Sequence, residues 1–256
     1  MEISLEELGA LVGNFFWPFI RIAALFMVAP IFGARTVPVR IRIILAVVMT
    51  LVLQSSLQST EAIEPLSSNG ILVILQQLAI GIVMGLILQI MFAALVMAGQ
   101  LMATTMGLGF ASMVDPQNGV QVTMLGQFYL IISTLFFLAI DGHLIVLQLL
   151  LDSFTVLPIN GAEFPIQIFW ELGWFVSQMF IAAVLISLPV LIGVLLVNLG
   201  FGVMTRAAPQ LNIFAVGFPT TMLAGFILMF LSLPVLFPLM ESLFSNSFVF
   251  LRLLVN

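Results

Sequence analysis

The sequence predicts an all-α integral membrane protein, because charge is scarce, apolar runs are long and helix-kinking prolines recur inside them. Charged residues make up 7% of the 256 residues, against about 25% in an ordinary soluble domain. No charge occurs in residues 65–114, 172–205 or 207–240. Each of these runs can hold at least one helix of the roughly 20 apolar residues needed to cross a bilayer. Most of the chain must therefore face lipid or other apolar chains.

Six apolar segments account for most of the chain, and each is predicted to be helical. They are residues 11–32, 43–58, 71–98, 124–151, 172–199 and 214–240. The prolines inside them, which remove backbone donors and kink helices, are Pro18, Pro30, Pro189, Pro219 and Pro234. Carbonyls freed by a kink must find partners within the protein, so kinked helical hairpins packed in a multi-helix assembly are expected. Gly81 and Gly85 have the small-xxx-small spacing that permits close helix contact.

The connections between the segments predict an orientation. Basic residues concentrate in the connections 33–42 and 200–213, whereas 59–70 and 152–171 are acidic. Because Lys and Arg favour the cytoplasmic side, 33–42, 99–123 and 200–213 are predicted to be inside, with both chain ends outside. The N-terminus is acidic and lacks the basic n-region of a cleavable signal peptide, so the first apolar segment is expected to stay in the protein.

Several kinds of chemistry are excluded by what the sequence lacks. There is no cysteine, so thiol nucleophiles and thiolate metal sites are absent, and the single histidine, His143, cannot form a multi-histidine metal site. HExxH and P-loop spacings do not occur. No metal or cofactor is expected, and without a strong basic patch no nucleic-acid partner is expected either. A dyad of His143 with Ser133 or Ser153 is conceivable, but neither serine lies in a nucleophile elbow, so an enzyme is not expected.

Three ionisable residues stand inside or at the edge of apolar segments. Arg21 lies within the first segment, where an arginine at bilayer depth costs at least about 2.5–3.5 kcal/mol. It should pair with an acid or face a polar cavity, unless the helix is not embedded in lipid at that depth. Asp141 and His143, in "AIDGHLIV", could relay protons. The preferred interpretation is a helix terminus at the membrane interface, with Gly142 bending the chain.

Residues 104–119, "TTMGLGFASMVDPQNG", are too apolar for a solvated loop and too rich in glycine for a membrane helix. Asp before Pro, followed by Asn–Gly, is strong turn chemistry. Irregular backbone at membrane depth is tolerated only where it is buried in protein or lines a cavity. Glycines let backbone approach closely, and methionine adapts its shape. The segment is interpreted either as a deformable apolar seal in a pore or as a tight, partly buried turn. The residues that would form the seal are Met106, Gly107, Gly109, Phe110, Met113, Asp115, Pro116, Asn118 and Gly119.

Residues 205–219, "TRAAPQLNIFAVGFP", form a short connection between two apolar segments and are predicted to be the turn of a helical hairpin. The polar groups of Arg206, Gln210 and Asn212, with Pro209 among them, suit a protein contact at the cytoplasmic face. A solvated hairpin loop explains the same residues equally well.

Four stretches resemble the FliR family, whose members are subunits of the flagellar type III protein export gate and relatives of injectisome subunits. They are residues 99–129, "GQLMATTMGLGFASMVDPQNGVQVTMLGQFY", 15–43, "FFWPFIRIAALFMVAPIFGARTVPVRIRI", 141–154, "DGHLIVLQLLLDSF", and 206–219, "RAAPQLNIFAVGFP". The match extends over nearly the whole chain, in family order.

The resemblance implies a non-enzymatic, multi-pass subunit of a helical gate in the bacterial inner membrane, at the centre of the flagellar basal body and in contact with membrane lipid. It implies FliP and FliQ as ring partners, FlhB at the cytoplasmic entrance and FlhA nearby, with unfolded flagellar proteins as the exported substrates. Residues 1–165 would be FliP-like and 166–256 a FliQ-like hairpin. Residues 104–119 would correspond to the loop that plugs the closed pore. Many helices of such a subunit pack on one another, so six membrane crossings are not implied.

The alternative is a stand-alone proton-coupled secondary transporter, with Arg21, Asp115, Asp141 and His143 as its polar pathway. Such transporters often contain internal repeats, and none is seen between the halves of this chain. An intramembrane hydrolase built on His143 is a further alternative, weakened by the missing nucleophile motif.

Overall fold

The computed structural model describes residues 5–34, 36–54, 63, 67–110, 112–115, 121–159, 167–207 and 213–255. Within them the helices are α1 (Leu5–Val28), α2 (Val39–Gln54), α3 (Ser68–Thr105), α4 (Met124–Ala139), α5 (Gly142–Val156), α6 (Gln167–Ala207) and α7 (Ile213–Val255). A 3-10 turn at Leu108–Phe110 and two three-residue strands, β1 (Ser112–Val114) and β2 (Gln121–Thr123), lie between α3 and α4. The predicted class, an all-α membrane protein, is confirmed.

The expected fourth segment, 124–151, is two helices rather than one. α4 and α5 are bent by 67° at the short break between them. Asp141, which precedes α5, has the left-handed backbone conformation (φ 56°) that Asp adopts more readily than most residues. The bend was predicted at Gly142, but Gly142 is already the first residue of α5. The left-handed residue that accompanies the break is therefore Asp141, next to the predicted glycine.

Length and apolarity allow fewer membrane crossings than six. Among the described residues, α3, α6 and the Val216–Leu253 part of α7 are long and apolar enough to span, and the bent α4–α5 pair can count as a fourth span. α1 has a shorter apolar part, Gly13–Val28, and α2 has 16 residues. With 38 to 43 residues, α3, α6 and α7 are roughly 57–65 Å long. The hydrocarbon core is about 30 Å thick, so parts of each helix must lie outside it.

The chain forms two compact units, each built from segments that are separate in sequence. Unit 1 comprises residues Met1–Gln89, Asp141–Leu172 and Ser247–Asn256, and unit 2 comprises Ile90–Ile140 and Gly173–Asn246. These units record which segments pack together. The division near residue 165 concerns relationship to other proteins, and it stays a prediction.

Unit 1 is held together by close contact between α1 and α3. A Cβ added at Gly81 would collide with the carbonyl oxygen of Arg21 and would stand 2.7 Å from the Cβ of Ala24. A Cβ added at Gly85 would stand 2.7 Å from the Cβ of Val28. The predicted close approach at the Gly81–Gly85 spacing is therefore confirmed, and α2 packs on the same helix α1.

Unit 2 is organised around aromatic side chains of α3, α4 and α7. The ring of Phe244, which is fully buried, lies 5.6–5.9 Å from the rings of Phe92, Phe136 and Phe137. Such edge-on and tilted ring pairs add stabilisation beyond the area they bury. At Gly99 an added Cβ would stand 2.6 Å from the carbonyl oxygen of Leu125, so α3 and the start of α4 are also in tight contact.

The α1–α3 contact yields a matched test with two glycine-to-alanine substitutions inside helices. Gly85→Ala forces a methyl group into a filled space and should cost about 1–3 kcal/mol of unfolding free energy. Gly200→Ala in α6 meets no atom within 4 Å and should stabilise the helix by up to about 1 kcal/mol. Thermal unfolding of the detergent-solubilised chain measures both. Equal stability of the two variants would contradict the packing described for α1 and α3.

Candidate functional site

The described part of the predicted seal segment, residues 104–119, contains the end of α3, a 3-10 turn and β1, which is one strand of a short ribbon. β1 and β2 pair antiparallel, with Ser112 opposite Thr123 and Val114 opposite Gln121. Pairing satisfies backbone groups that lipid or an apolar partner could not satisfy, and it gives residues 112–114 regular rather than irregular backbone. Asp115, the next residue, is 1% exposed. Pro116, Asn118 and Gly119 lie outside the described residues, as do the side chains of Phe110 and Met113.

The first residues of the seal segment are packed against α7. Met106 is fully buried, and a Cβ added at Gly225 would stand 2.5 Å from its Cγ. Gly107 has φ +78°, and a Cβ there would stand 2.7 Å from the ring of Phe218. Only glycine meets both the conformation and the space at this position. Gly109 was expected to allow a similar approach, but it lies at an exposed turn where the nearest atoms to an added Cβ are 3.7 Å away.

The described arms of the predicted hairpin lie beside the start of the seal segment. Arg206 is exposed in the last turn of α6, and α7 begins at Ile213. Pro209, Gln210 and Asn212 lie outside the described residues.

The ends of α3, α6 and α7 enclose a cleft of about 420 Å³ within unit 2. Its lining comprises Thr104, Thr105, Gly107, Asn198, Phe201, Gly202, Thr205, Gly217, Phe218 and Thr221. The structure thus brings the start of the seal segment and both arms of the hairpin to one cleft. Sequence reasoning missed the cleft, although threonines recurring near the ends of three apolar segments were a signal of it.

Arg21 is a buried cation held entirely by neutral groups. Its Nε donates to Oε1 of Gln77 at 2.7 Å, and one terminal nitrogen donates to both the carbonyl and the hydroxyl oxygen of Ser153 at 2.7 and 2.9 Å. The other terminal nitrogen donates to the carbonyl oxygen of Leu157 at 2.7 Å. The guanidinium carbon lies 4.2 Å from the ring centre of Phe154. Arg21 therefore joins α1, α3 and the end of α5 within unit 1.

The C-terminal end of α5 explains why Arg21 does without a carboxylate. The last carbonyls of a helix lack partners inside the helix and carry a partial negative charge. Arg21 supplies a donor to the carbonyl of Leu157, adds a second donor to the carbonyl of Ser153, which also accepts from the N–H of Leu157, and brings the opposite charge. The sequence led us to expect an acid or a polar cavity, but the partners are a helix end, an amide and an aromatic ring. Since Arg21 is 0% exposed, its side chain does not face lipid, and these contacts offset the cost of removing the guanidinium from water.

Three polar residues of the transporter alternative lie at opposite ends of α5. Asp141 and His143 lie at the first turn of α5, whereas Arg21 contacts the other end of that helix. Ten residues separate His143 from Ser153, which is about 15 Å along a helix. The same separation excludes a dyad of these two side chains, and Ser153 instead donates to the carbonyl oxygen of Leu150. Asp141 itself is exposed and makes no side-chain hydrogen bond that caps α5.

Replacing Arg21 tests whether the stability of unit 1 depends on the several N–H donors of the guanidinium or only on its positive charge. Arg21→Lys keeps the charge, but three ammonium donors on a flexible stem cannot reach Gln77, Ser153 and Leu157 together. Unsatisfied buried acceptors should then cost about 2 kcal/mol or more, or about 4–8 °C in melting temperature. Arg252→Lys, at an exposed position of α7, is the control and should be neutral. If the two variants unfold alike in detergent, Arg21 does not hold unit 1 together.

Comparison with known proteins identifies the family. Residues 12–247 match the family described as bacterial export proteins, family 1. The flagellar biosynthetic protein FliR of Pectobacterium carotovorum subsp. carotovorum is 40% identical over 238 residues, covering 93% of this chain and 90% of the relative. FliR of Escherichia coli (strain K12) is 35% identical, covering 97% and 95%. FliR of Bacillus subtilis (strain 168) is 32% identical, covering 89% and 88%. The chain therefore belongs to family 1 of the bacterial export proteins and to the FliR family of flagellar biosynthetic proteins.

Proposed function

We propose that the chain is a non-enzymatic subunit of the flagellar protein export gate, which forms part of the channel and its plug. Its substrates in this role are unfolded flagellar proteins, and its location is the bacterial inner membrane at the flagellar basal body. FliP and FliQ are its proposed ring partners, with FlhB at the cytoplasmic entrance and FlhA nearby. Residues 1–165 act as the FliP-like part and 166–256 as the FliQ-like hairpin.

The observation that carries the proposal is the attachment of the seal segment to the hairpin. Met106 and Gly107 pack on Gly225 and Phe218 of α7, close to the turn that should face the cytoplasm. A plug must be fixed at its base and deformable beyond it. Buried Met106 and the close contact of Gly107 with Phe218 supply the fixed base, and the short ribbon that follows is the part that would deform. The family match supports the same assignment.

The apolar surface of the long helices supports residence among partner subunits and lipid. In their most apolar stretches only 28% of α6 and 17% of Val216–Leu253 is buried inside the chain, against 50% of α3. Exposed residues on α6 include Trp170, Trp174 and Leu196. So much exposed apolar surface needs a cover, which neighbouring helices of a gate and membrane lipid would provide.

Removing the seal should open the assembled gate to ions. Deletion of residues 107–113 takes away Gly107, the 3-10 turn and part of β1, and an apolar constriction that is removed no longer excludes water and ions. Conductance of the assembled gate in planar bilayers should rise above that of the intact gate. Co-purification of the other subunits with the variant controls for assembly. Unchanged conductance in an assembled gate would exclude residues 107–113 as the seal.

A milder change tests the base of the plug separately. Gly107→Ala places a side chain at φ +78° and against Phe218, so the base should shift and the gate should leak less than the deletion but more than the intact chain. Gly200→Ala, with open space around it, should not leak.

Asp141 separates export from proton-coupled transport. Asp141→Asn keeps a residue that tolerates the left-handed conformation, and the exposed carboxylate makes no cap hydrogen bond to lose. Export of flagellar proteins into the medium should therefore stay at the wild-type level. Asp141→Val should lower it, because a β-branched residue at positive φ costs about 1–2 kcal/mol and disturbs the bend. Loss of export in Asp141→Asn itself would assign the carboxylate a part in transport.

A further inference from the structure

The cleft at the ends of α3, α6 and α7 presents hydrogen-bond acceptors and few donors. Its four threonines each donate the hydroxyl hydrogen to a carbonyl of their own helix: Thr104 to Gln100, Thr105 to Met102, Thr205 to Gly202 and Thr221 to Phe218, at 2.8–3.0 Å. A hydroxyl whose hydrogen is engaged offers only lone pairs to a ligand. Among the described residues, the lining contains no charged side chain. The complementary ligand therefore brings donors.

The end of α3 at the cleft carries no basic residue and favours positive charge, whereas the last turn of α6 already carries Arg206. Thr104 and Thr105 are the last residues of α3, and Thr205 lies in the last turn of α6. A helix C-terminus carries a partial negative charge that acts over its last turn. The cleft residues of α7 begin at Gly217, after the first turn of that helix, where the opposite partial charge has faded. Phe201 and Phe218 add aromatic rings, which attract cations.

The chain already holds one guanidinium with the same set of groups. Arg21 is bound by carbonyls at a helix C-terminus, a serine hydroxyl, an amide oxygen and a phenylalanine ring. The cleft offers two helix C-termini, threonine hydroxyls, the amide of Asn198 and two phenylalanine rings. The Arg21 site is filled from within the chain, whereas the cleft is an open space of about 420 Å³.

The geometry points to the cleft as a binding site for an arginine side chain of a partner subunit, and this rests on the proposed role in the export gate. Arginine fits better than lysine because its five donors can serve acceptors spread over three helices. The chain's own Arg206 does not line the cleft and is exposed. A partner arginine bound there would contact both arms of the hairpin, next to Gly107 at the base of the proposed plug.

Two exposed glycines of α6 provide a matched crosslinking test. Gly202 lines the cleft and Gly200 does not, and a side chain at either meets nothing within 4 Å. A benzophenone amino acid is placed at each position in cells that assemble the export apparatus, and the adducts are sequenced by mass spectrometry. Position 202 should crosslink to a partner peptide that contains arginine, at least about fivefold more than position 200 does. No adduct at 202, an adduct on lipid or on residues 208–212 of the same chain, or a partner peptide without arginine overturns the proposal.

Substitutions in the partner arginine and in the cleft then test whether a guanidinium is the group that binds. Replacing the mapped partner arginine with lysine should lower the crosslink yield at 202 at least about fivefold, because the fork of donors is lost. Thr205→Val, which removes an acceptor, should lower it as well, whereas Thr205→Ser should not. Crosslink yields that stay the same in these variants overturn the assignment of arginine as the ligand. Co-purification of the other gate subunits with the chain is measured in the same cells. If the subunits co-purify and the crosslink fails, only the assignment of the cleft is overturned. If the subunits do not co-purify, the proposed function is overturned as well.

Discussion

Polar groups at helix ends must be satisfied inside the protein, since most of the surface of this chain is apolar and little of it can face water. Arg21 meets that need at the end of α5, and its fork fixes α1, α3 and α5 to one another. The start of α4 is capped by Thr123, whose hydroxyl accepts from the backbone N–H of Gly126 at 3.1 Å. The ribbon between α3 and α4 pairs its own backbone. In each case a group of the chain itself makes the hydrogen bond that water would make in a soluble protein.

The same constraint shapes the proposed plug. A loop with unpaired backbone could not lie in an apolar pore, but a paired ribbon fixed at Met106 and Gly107 could. Threonines whose hydroxyls bond back to their own helices leave acceptors at the base of that ribbon. The contact of Gly107 with Phe218 places the base of the proposed plug beside the hairpin face, so a partner held there would also touch the plug's support.

The helices and the membrane class could be predicted from the sequence, because charge-free runs of this length have no other stable form. The close helix contact at Gly81 and Gly85 could also be predicted, because two small residues four positions apart lie on one helix face and permit close approach. The bend was predicted one residue too late, at Gly142, because glycine is the usual left-handed residue, whereas Asp141 adopts that conformation here. The partners of Arg21 lie 56 to 136 residues away in sequence, and tertiary contacts of that kind have no local signature. The threonines near three helix ends were a signal of the cleft, but their convergence was missed because its walls come from three separate helices.

The proposal that this chain works as one subunit of a larger gate is tested most directly by native mass spectrometry. The complex is extracted gently from membranes of cells in which this chain carries a tag. The expected result is one copy of the chain with several copies of small apolar partner chains, because α6 and α7 leave most of their apolar surface uncovered within the chain. A lone chain or a homodimer would contradict the account.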